Sequence, residues 1–171
     1  LILIVGVVSD FKKAIDENIS VCVQSREDFF RLKRALRKTK KVAKVHLKIN
    51  TGMNRLGVKK PEVYDLIIDL FREKKVVLEG VFTHFCTADC DEQFLKRQVE
   101  EFKSVIKLLP SGVSPIIHFG GGGISRGQIK RFGLENYVLR SGIKLINGLS
   151  CALKIESKVI KILELKEGER L

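Results

Sequence analysis

Short apolar runs alternate along this chain with segments in which apolar residues recur every three or four positions. Leu1–Val8 is a continuous apolar run and reads as a buried strand, followed by a short polar helix near Phe11–Asn18. Ile19–Gln24 is the next strand, and a basic helix spans about Arg26 to Lys40, with Phe29, Leu32 and Leu36 on one buried face. Lys44–Ile49 is a third strand. Pro61 then opens a helix at a position where a missing N–H costs nothing, and Val63, Leu66, Ile67, Leu70 and Phe71 repeat at helical spacing behind it. Val77–Phe85 is the fourth strand. Asp91 caps a helix carrying the clearest amphipathic stripe of the chain: Leu95, Val99, Phe102, Ile106 and Leu109. Ser114–Phe119 is the fifth strand, four glycines and a short helix follow, and Asn136–Ser141 is the sixth. After Gly148 the pattern changes, and Lys154 to Glu164 alternates like an exposed antiparallel strand.

Repeated βα units imply a parallel sheet with helices outside it. A doubly wound sheet and a (β/α)8 barrel both satisfy that pattern. A whole barrel takes about 250 residues, and the chain has 171. Six strands are then most of a barrel, about strands three to eight. The expectation is an α/β chain in two parts: a partial (β/α)8 TIM barrel over residues 1–149 and the start of a C-terminal β-rich domain over 150–171. Leu1–Val8 lacks an initiator Met, a basic flank and a cleavage site, so it reads as a strand entered part-way through a fold, and the chain as an internal fragment.

Composition narrows the function classes. At 44% hydrophobic residues the chain can build a core, which excludes a disordered segment. The longest apolar opening run falls far short of the roughly 20 residues that cross a bilayer. The net charge of +12 sits mostly in the first 60 residues, which hold 15 Lys/Arg against 5 Asp/Glu. No acid falls between Asp28 and Glu62, so a nucleic-acid partner has to be considered. The bases fall mainly off the apolar face of the helix, and no aromatic platform accompanies them. A solvated helix face, with no nucleic acid and no membrane, is the expectation. The 4 cysteines are too sparse for a secreted disulfide scaffold and favour a reduced, cytoplasmic setting. His84, Cys86 and Cys90 lack a fourth ligand and regular spacing, so no metal is expected.

Candidate chemistry gathers at strand ends. In Val45–Gly57, alternation puts Val45, Leu47 and Ile49 on one face of the strand and Lys44, His46 and Lys48 on the other. A lysine facing a barrel interior near its mouth pairs with an anion, is modified, or snorkels to solvent. Arg55 lies in the glycine-flanked loop beyond it. His84 ends the fourth strand, where a histidine serves catalysis, ring stacking or structure. The run His118-Phe119-Gly120-Gly121-Gly122-Gly123 and the stretch Arg140-Ser141-Gly142-Ile143 follow the last two strands. In barrels, phosphate commonly sits at the loops after strands seven and eight, on backbone N–H groups. A glycine run is otherwise a flexible turn.

These motifs carry a resemblance. The chain resembles the pyridoxal-phosphate-dependent alanine racemases over almost its whole length. Lys48–Gly57 is close to the family's K-V-D-T-G-M-x-R-x-G, Gly80–Asp89 reads G-V-F-T-H-F-C-T-A-D, and Arg140-Ser-Gly-Ile-Lys-Leu adds a third match in order. The resemblance implies pyridoxal 5′-phosphate as cofactor, a small amino acid as substrate, interconversion of L- and D-alanine for peptidoglycan synthesis, and a homodimer. It implies Lys48 as a carbamylated lysine orienting Arg55, which acts on the cofactor's phenolic oxygen and the substrate carboxylate. It implies His84 against the pyridine ring, Arg140 facing the ring nitrogen, and Gly121, Gly122, Gly142 and Ile143 around the phosphate. A permanent cation at that nitrogen disfavours its protonation, which suits returning a proton and changing nothing else. Three departures stand out: Asn50 where the family usually has Asp, Gly121-Gly122 where many members have Asn-Ser, and Ile146-Asn147-Gly148 in place of Tyr-Gly. The family's Schiff-base lysine falls before Leu1 and its catalytic tyrosine after Leu171, so the isolated chain is expected not to racemise alanine. Racemases of the same fold acting on serine, lysine or ornithine, and a non-catalytic carrier of the same cofactor, are the neighbouring readings.

Overall fold

The computed structural model describes residues 3–121, 123–140 and 142. Among these residues six strands and five helices alternate: β1 (Leu3–Ile4), α1 (Phe11–Asp16), β2 (Ser20–Val23), α2 (Arg26–Leu36), β3 (Ala43–Lys48), α3 (Lys60–Arg72), β4 (Val76–His84), α4 (Glu92–Ile106), β5 (Ile116–Gly120), α5 (Arg126–Arg131) and β6 (Val138–Arg140). The strands form one parallel sheet in the order β1-β2-β3-β4-β5-β6. Doubly wound sheets reverse their strand order at a switch point, and this one does not. Unbroken sequential order is the winding of a (β/α)8 barrel, seen here in part. The predicted β domain over 150–171 lies outside the described residues.

Each helix is built from its own sequence. Asp10, Ser25 and Asp91 accept the N3 backbone N–H of α1, α2 and α4 as N-caps, so three helix starts are fixed by side chains already in place. Ser125 and Gln128 close a capping box on α5, and the Gln128 amide also donates to the Ala88 carbonyl at 2.9 Å, tying α5 to the loop after β4. Pro61 falls in the first turn of α3, as expected. The apolar stripes meet the outward faces of the strands in one core that includes Leu32, Val45, Leu47, Leu66, Leu70, Val81, Leu95, Phe102 and Phe119.

Two boundaries and one apolar position depart most from the periodicity. Among the described residues the opening apolar run gives a two-residue strand, with Val5 and Val7 exposed and Val8 buried; β1 pairs there with β2 alone, and Val5–Val8 join no ladder. The basic helix ends at Leu36 rather than near Lys40 because the Lys75 ammonium donates to the Leu36 and Thr39 carbonyls at 3.1 and 2.9 Å and closes its C-terminus. Phe71, at the end of the α3 stripe, is 39% exposed.

The basic segment is partly engaged within the chain. Arg26 pairs with Asp69 at 2.9 Å, and Arg31 donates to the Val8 and Ser9 carbonyls and to Asp28. Among the described residues no helix is long and apolar enough to cross a membrane.

Candidate active site

Lys48, His84, Gly120 and Arg140 are each the last residue of a strand: β3, β4, β5 and β6. Because the strands are parallel, all four stand at one end of the sheet, where barrel active sites are built. The register makes His84, Gly120 and Arg140 direct neighbours across β4, β5 and β6. Gly120 is what lets the other two meet. A Cβ there would lie 2.4 Å from His84 Nδ1 and 3.0 Å from an Arg140 nitrogen, so any larger residue would displace both side chains.

Arg140 is held on both sides. Its Nη2 donates to the Thr83 carbonyl at 3.1 Å, its Nη1 donates to His118 Nδ1, and its guanidinium carbon lies 4.6 Å over the Phe82 ring. Phe82 in turn stacks on His118 at 4.7 Å with 13° between the rings. Burial draws Arg140 down to about 10, which leaves it a cation at neutral pH. Lys48 is only 5% exposed, and its Nζ lies 5.8 Å from the same Phe82 ring.

His84 is half-buried. Burial, and after it the charges of Arg55, Arg140 and Lys48, push its imidazole down to about 4. It is therefore neutral at physiological pH, a flat ring surrounded by three cations. Arg55 is exposed and carried by a loop that the sequence closes tightly. Ile49 and Val58 form a parallel bridge, with Asn50 N–H donating to Val58 O and Val58 N–H to Lys48 O, both at 2.9 Å. Inside the loop the Asn50 side-chain oxygen accepts the Gly52 and Asn54 N–H groups at 3.0 and 3.1 Å, and its amide donates to Asn54 Oδ1. Asn50, where the related motif usually carries Asp, thus works as a neutral loop clasp. Gly57 closes the loop at φ +121°, where a Cβ would meet the Asn50 nitrogen at 2.7 Å.

Of the remaining predicted residues, Gly121 is buried and follows β5, whereas Gly142 is exposed. Gly122 and Ile143 lie outside the described residues. Cys86 packs on Gln98, which donates to its sulfur at 3.6 Å, and Cys90 is exposed. Among the described residues no group of three His, Cys, Asp or Glu is placed to hold a metal ion.

Sequence reasoning assigned no role to His118 or Glu79 and saw His46 only as part of a polar strand face. The structure joins all three beneath Arg140. The available signal was the His46 parity in β3, which places it on the same side as Lys48. What pattern could not show is an irregularity in β4: Val45 pairs with Leu78 but His46 pairs with Gly80, so Glu79 is an extra residue, a β-bulge.

Comparison with known proteins decides the family. The sequence profile described as "Alanine racemase, N-terminal domain" matches residues 1–145. The alanine racemase of Francisella tularensis subsp. mediasiatica is 30% identical over 184 aligned residues, covering 98% of this chain and 50% of the relative. The chain belongs to the alanine racemase family. It spans about half the length of the curated alanine racemases it matches. Among solved structures, the Clostridium difficile alanine racemase in complex with cycloserine superposes with a TM-score of 0.70 at 31% identity, over 84% of this chain and 40% of that one. A histidine racemase from Leuconostoc mesenteroides subsp. sake shares the fold, with a TM-score of 0.71 at 24% identity over 89% of this chain and 43% of that one. The alanine racemase N-terminal domain is the barrel part, which agrees with the sequential parallel winding seen here.

Proposed function

We propose that the protein carrying this chain interconverts L- and D-alanine with pyridoxal 5′-phosphate, and that this chain supplies the part of its barrel that holds the cofactor ring and the substrate carboxylate. The observation that carries the reading is the gathering of Lys48, His84 and Arg140 at the same ends of β3, β4 and β6, with Gly120 of β5 between the last two and Arg55 close enough to bear on His84.

The residues fit such a cofactor. Gly120 lets the His84 ring and the Arg140 guanidinium come together at its Cα, a neutral imidazole offers a flat face, and the cations suit an anionic ligand. The buried Gln24 side-chain oxygen, just past the end of β2, has no partner among the described residues and adds an acceptor at the same end of the sheet. Pyridoxal phosphate, when bound, supplies the electron sink that acidifies the substrate's α-hydrogen. Arg140 would face the ring nitrogen as a permanent donor and keep a proton from settling there. His84 would lie against the ring without adding charge. Gly121, Gly122, Gly142 and Ile143 would hold the phosphate through backbone N–H groups, and Arg55 would orient the substrate carboxylate.

Lys48 is proposed to carry a carbamate. Its neutral amine adds to carbon dioxide: the N–C bond forms as one C=O π bond opens to a carboxylate oxygen, and the one displaced N–H proton passes to water. The product is an anion beside Arg55, which relieves the crowding of three cations around His84. The lysine and tyrosine that move the α-proton belong to other parts of the protein, with the tyrosine acting across a homodimer. The thiols of Cys22 and Cys90, outside any disulfide among the described residues, fit a reducing cytoplasm, where the D-alanine would feed peptidoglycan synthesis.

The full-length gene is expected to rescue a bacterium that requires D-alanine, and the isolated 171-residue chain is not. Failure of the full-length gene, with the purified protein turning over a different amino acid, would overturn the alanine assignment. Rescue by the isolated chain would overturn the placement of the proton-transfer groups.

A further inference from the structure

Beneath the mouth of the barrel a polar chain runs across five strands, β2 to β6. Arg140 Nη1 donates to His118 Nδ1; His118 Nε2 lies 2.8 Å from His46 Nδ1; His46 Nε2 lies 3.1 Å from Glu79 Oε2; and Ser20 Oγ donates to the same Glu79 oxygen. His46 and His118 are 1% and 3% exposed. Two histidine rings buried in a barrel core need an account.

Arginine settles the direction of every bond. A guanidinium has donors and no acceptor. His118 Nδ1 must therefore offer its lone pair, which places the His118 proton on Nε2. That N–H points at His46 Nδ1, which must accept, so the His46 proton is also on Nε2 and points at Glu79. The carboxylate accepts from His46 and from Ser20 and ends the chain. Any other arrangement sets two N–H groups face to face: a charged His46 would donate back to His118 and drive a proton onto the nitrogen that Arg140 occupies.

The backbone is shaped for this chain. The bulge at Glu79 turns that carboxylate toward His46, and Gly80 next to it leaves room for the ring, since a Cβ at Gly80 would lie 2.1 Å from His46 Nδ1. Phe82 fixes the plane of His118 from one side. Burial, and then the Arg140 charge, push His118 down to about 3; burial also lowers His46, against the pull of Glu79. Burial works against the ionised Glu79, yet its hydrogen bonds from Ser20 and His46 keep its pKa below the usual value. Two neutral rings between a cation and an anion agree with the bond directions read from the geometry.

We propose that Glu79, His46 and His118 form a positioning relay that locks both histidines in the Nε2–H tautomer and thereby holds Arg140 as a fixed, outward-facing donor at the ligand site. The relay acts through Arg140 and touches no substrate. Its link to a cofactor rests on the function proposed above, while the tautomer lock itself does not.

The test is the ring ¹⁵N spectrum of the full-length protein, with and without pyridoxal phosphate, with His46 and His118 assigned by single His→Gln variants. In the wild type both residues are expected to show protonated Nε2 and bare Nδ1 throughout pH 5–8. Glu79→Leu removes the final acceptor and is expected to lose that signature at both rings; Glu79→Gln, whose amide oxygen still accepts, is expected to keep it. Cofactor affinity should fall about tenfold in Glu79→Leu and recover in Glu79→Gln. A proton on His118 Nδ1 in the wild type overturns the proposal even if Glu79→Leu fails to fold, and so do unchanged tautomers in a folded Glu79→Leu. Tautomers that shift as expected in a protein that never binds the cofactor would leave the relay standing and remove the cofactor reading.

Discussion

At Gly120 the cost of one methyl group can be read directly. Alanine there would press on His84 Nδ1 from 2.4 Å and on Arg140 from 3.0 Å, and neither can retreat freely, because Arg140 is anchored to Thr83 and His118. Gly120→Ala is expected to leave the fold intact and weaken cofactor binding by about tenfold or more, measured by titrating the apoprotein; unchanged affinity would show that the His84–Arg140 pair is not the ligand face. The cysteines separate in the same residue-level way. Burial pushes the Cys22 thiol up to about 12 while Cys90 is exposed, and the thiolate is the reactive form. Among the described cysteines, a thiol reagent at neutral pH is expected to label Cys90 first and Cys22 only on unfolding, as peptide mapping would show.

At the scale of the elements, what was legible in the sequence was what periodicity encodes. The α4 stripe, the Asp91 cap, the Pro61 helix start and the parity of β3 all appear in the structure, because each is a local pattern with one physical reading. The strand-end positions of Lys48, His84 and Arg140 followed from those boundaries, and the roles proposed for them rest on the family motif. The bulge at Glu79 was not legible: it is a mismatch between two strands, and neither strand's sequence shows it alone. The same limit hid the His46–His118 contact, which links residues 72 positions apart through a register that pattern cannot supply. The extension of β1 to Val8 was misread for a related reason. An apolar run states that a segment could be buried, and pairing decides whether it becomes a strand.

For the molecule as a whole, the three buried or half-buried histidines make stability depend on pH in a definite direction. His118 is held near 3 and His84 near 4, and His46 is lowered as well, against an ordinary value of 6.5. The unfolded chain therefore binds more protons than the folded one below about pH 6.5. Their contribution is fully present above that value and is lost as the pH falls toward the folded values. Lowering the pH from 7.5 to 5 is expected to cost about 2 kcal/mol through His118 alone. Urea unfolding of the full-length protein should show the loss, and His118→Gln should flatten it; equal slopes would mean that His118 is not buried neutral. Asp28 and Glu101, whose carboxyls burial raises, act in the opposite sense where carboxylates titrate.

The family, the sequential parallel winding and the strand-end cluster meet in one proposal: Arg140, in the company of His84, Lys48 and Arg55, would serve a pyridoxal-phosphate site at which the full-length protein racemises alanine. The direct measurement follows L-alanine supplied to the purified full-length protein in deuterated water, recording the appearance of D-alanine and of α-deuterium. The wild type is expected to produce both, and Arg140→Leu to slow them by about 10²-fold or more while the protein stays folded. A wild-type protein that binds the cofactor but leaves alanine unchanged, or an Arg140→Leu variant as fast as the wild type, would contradict it.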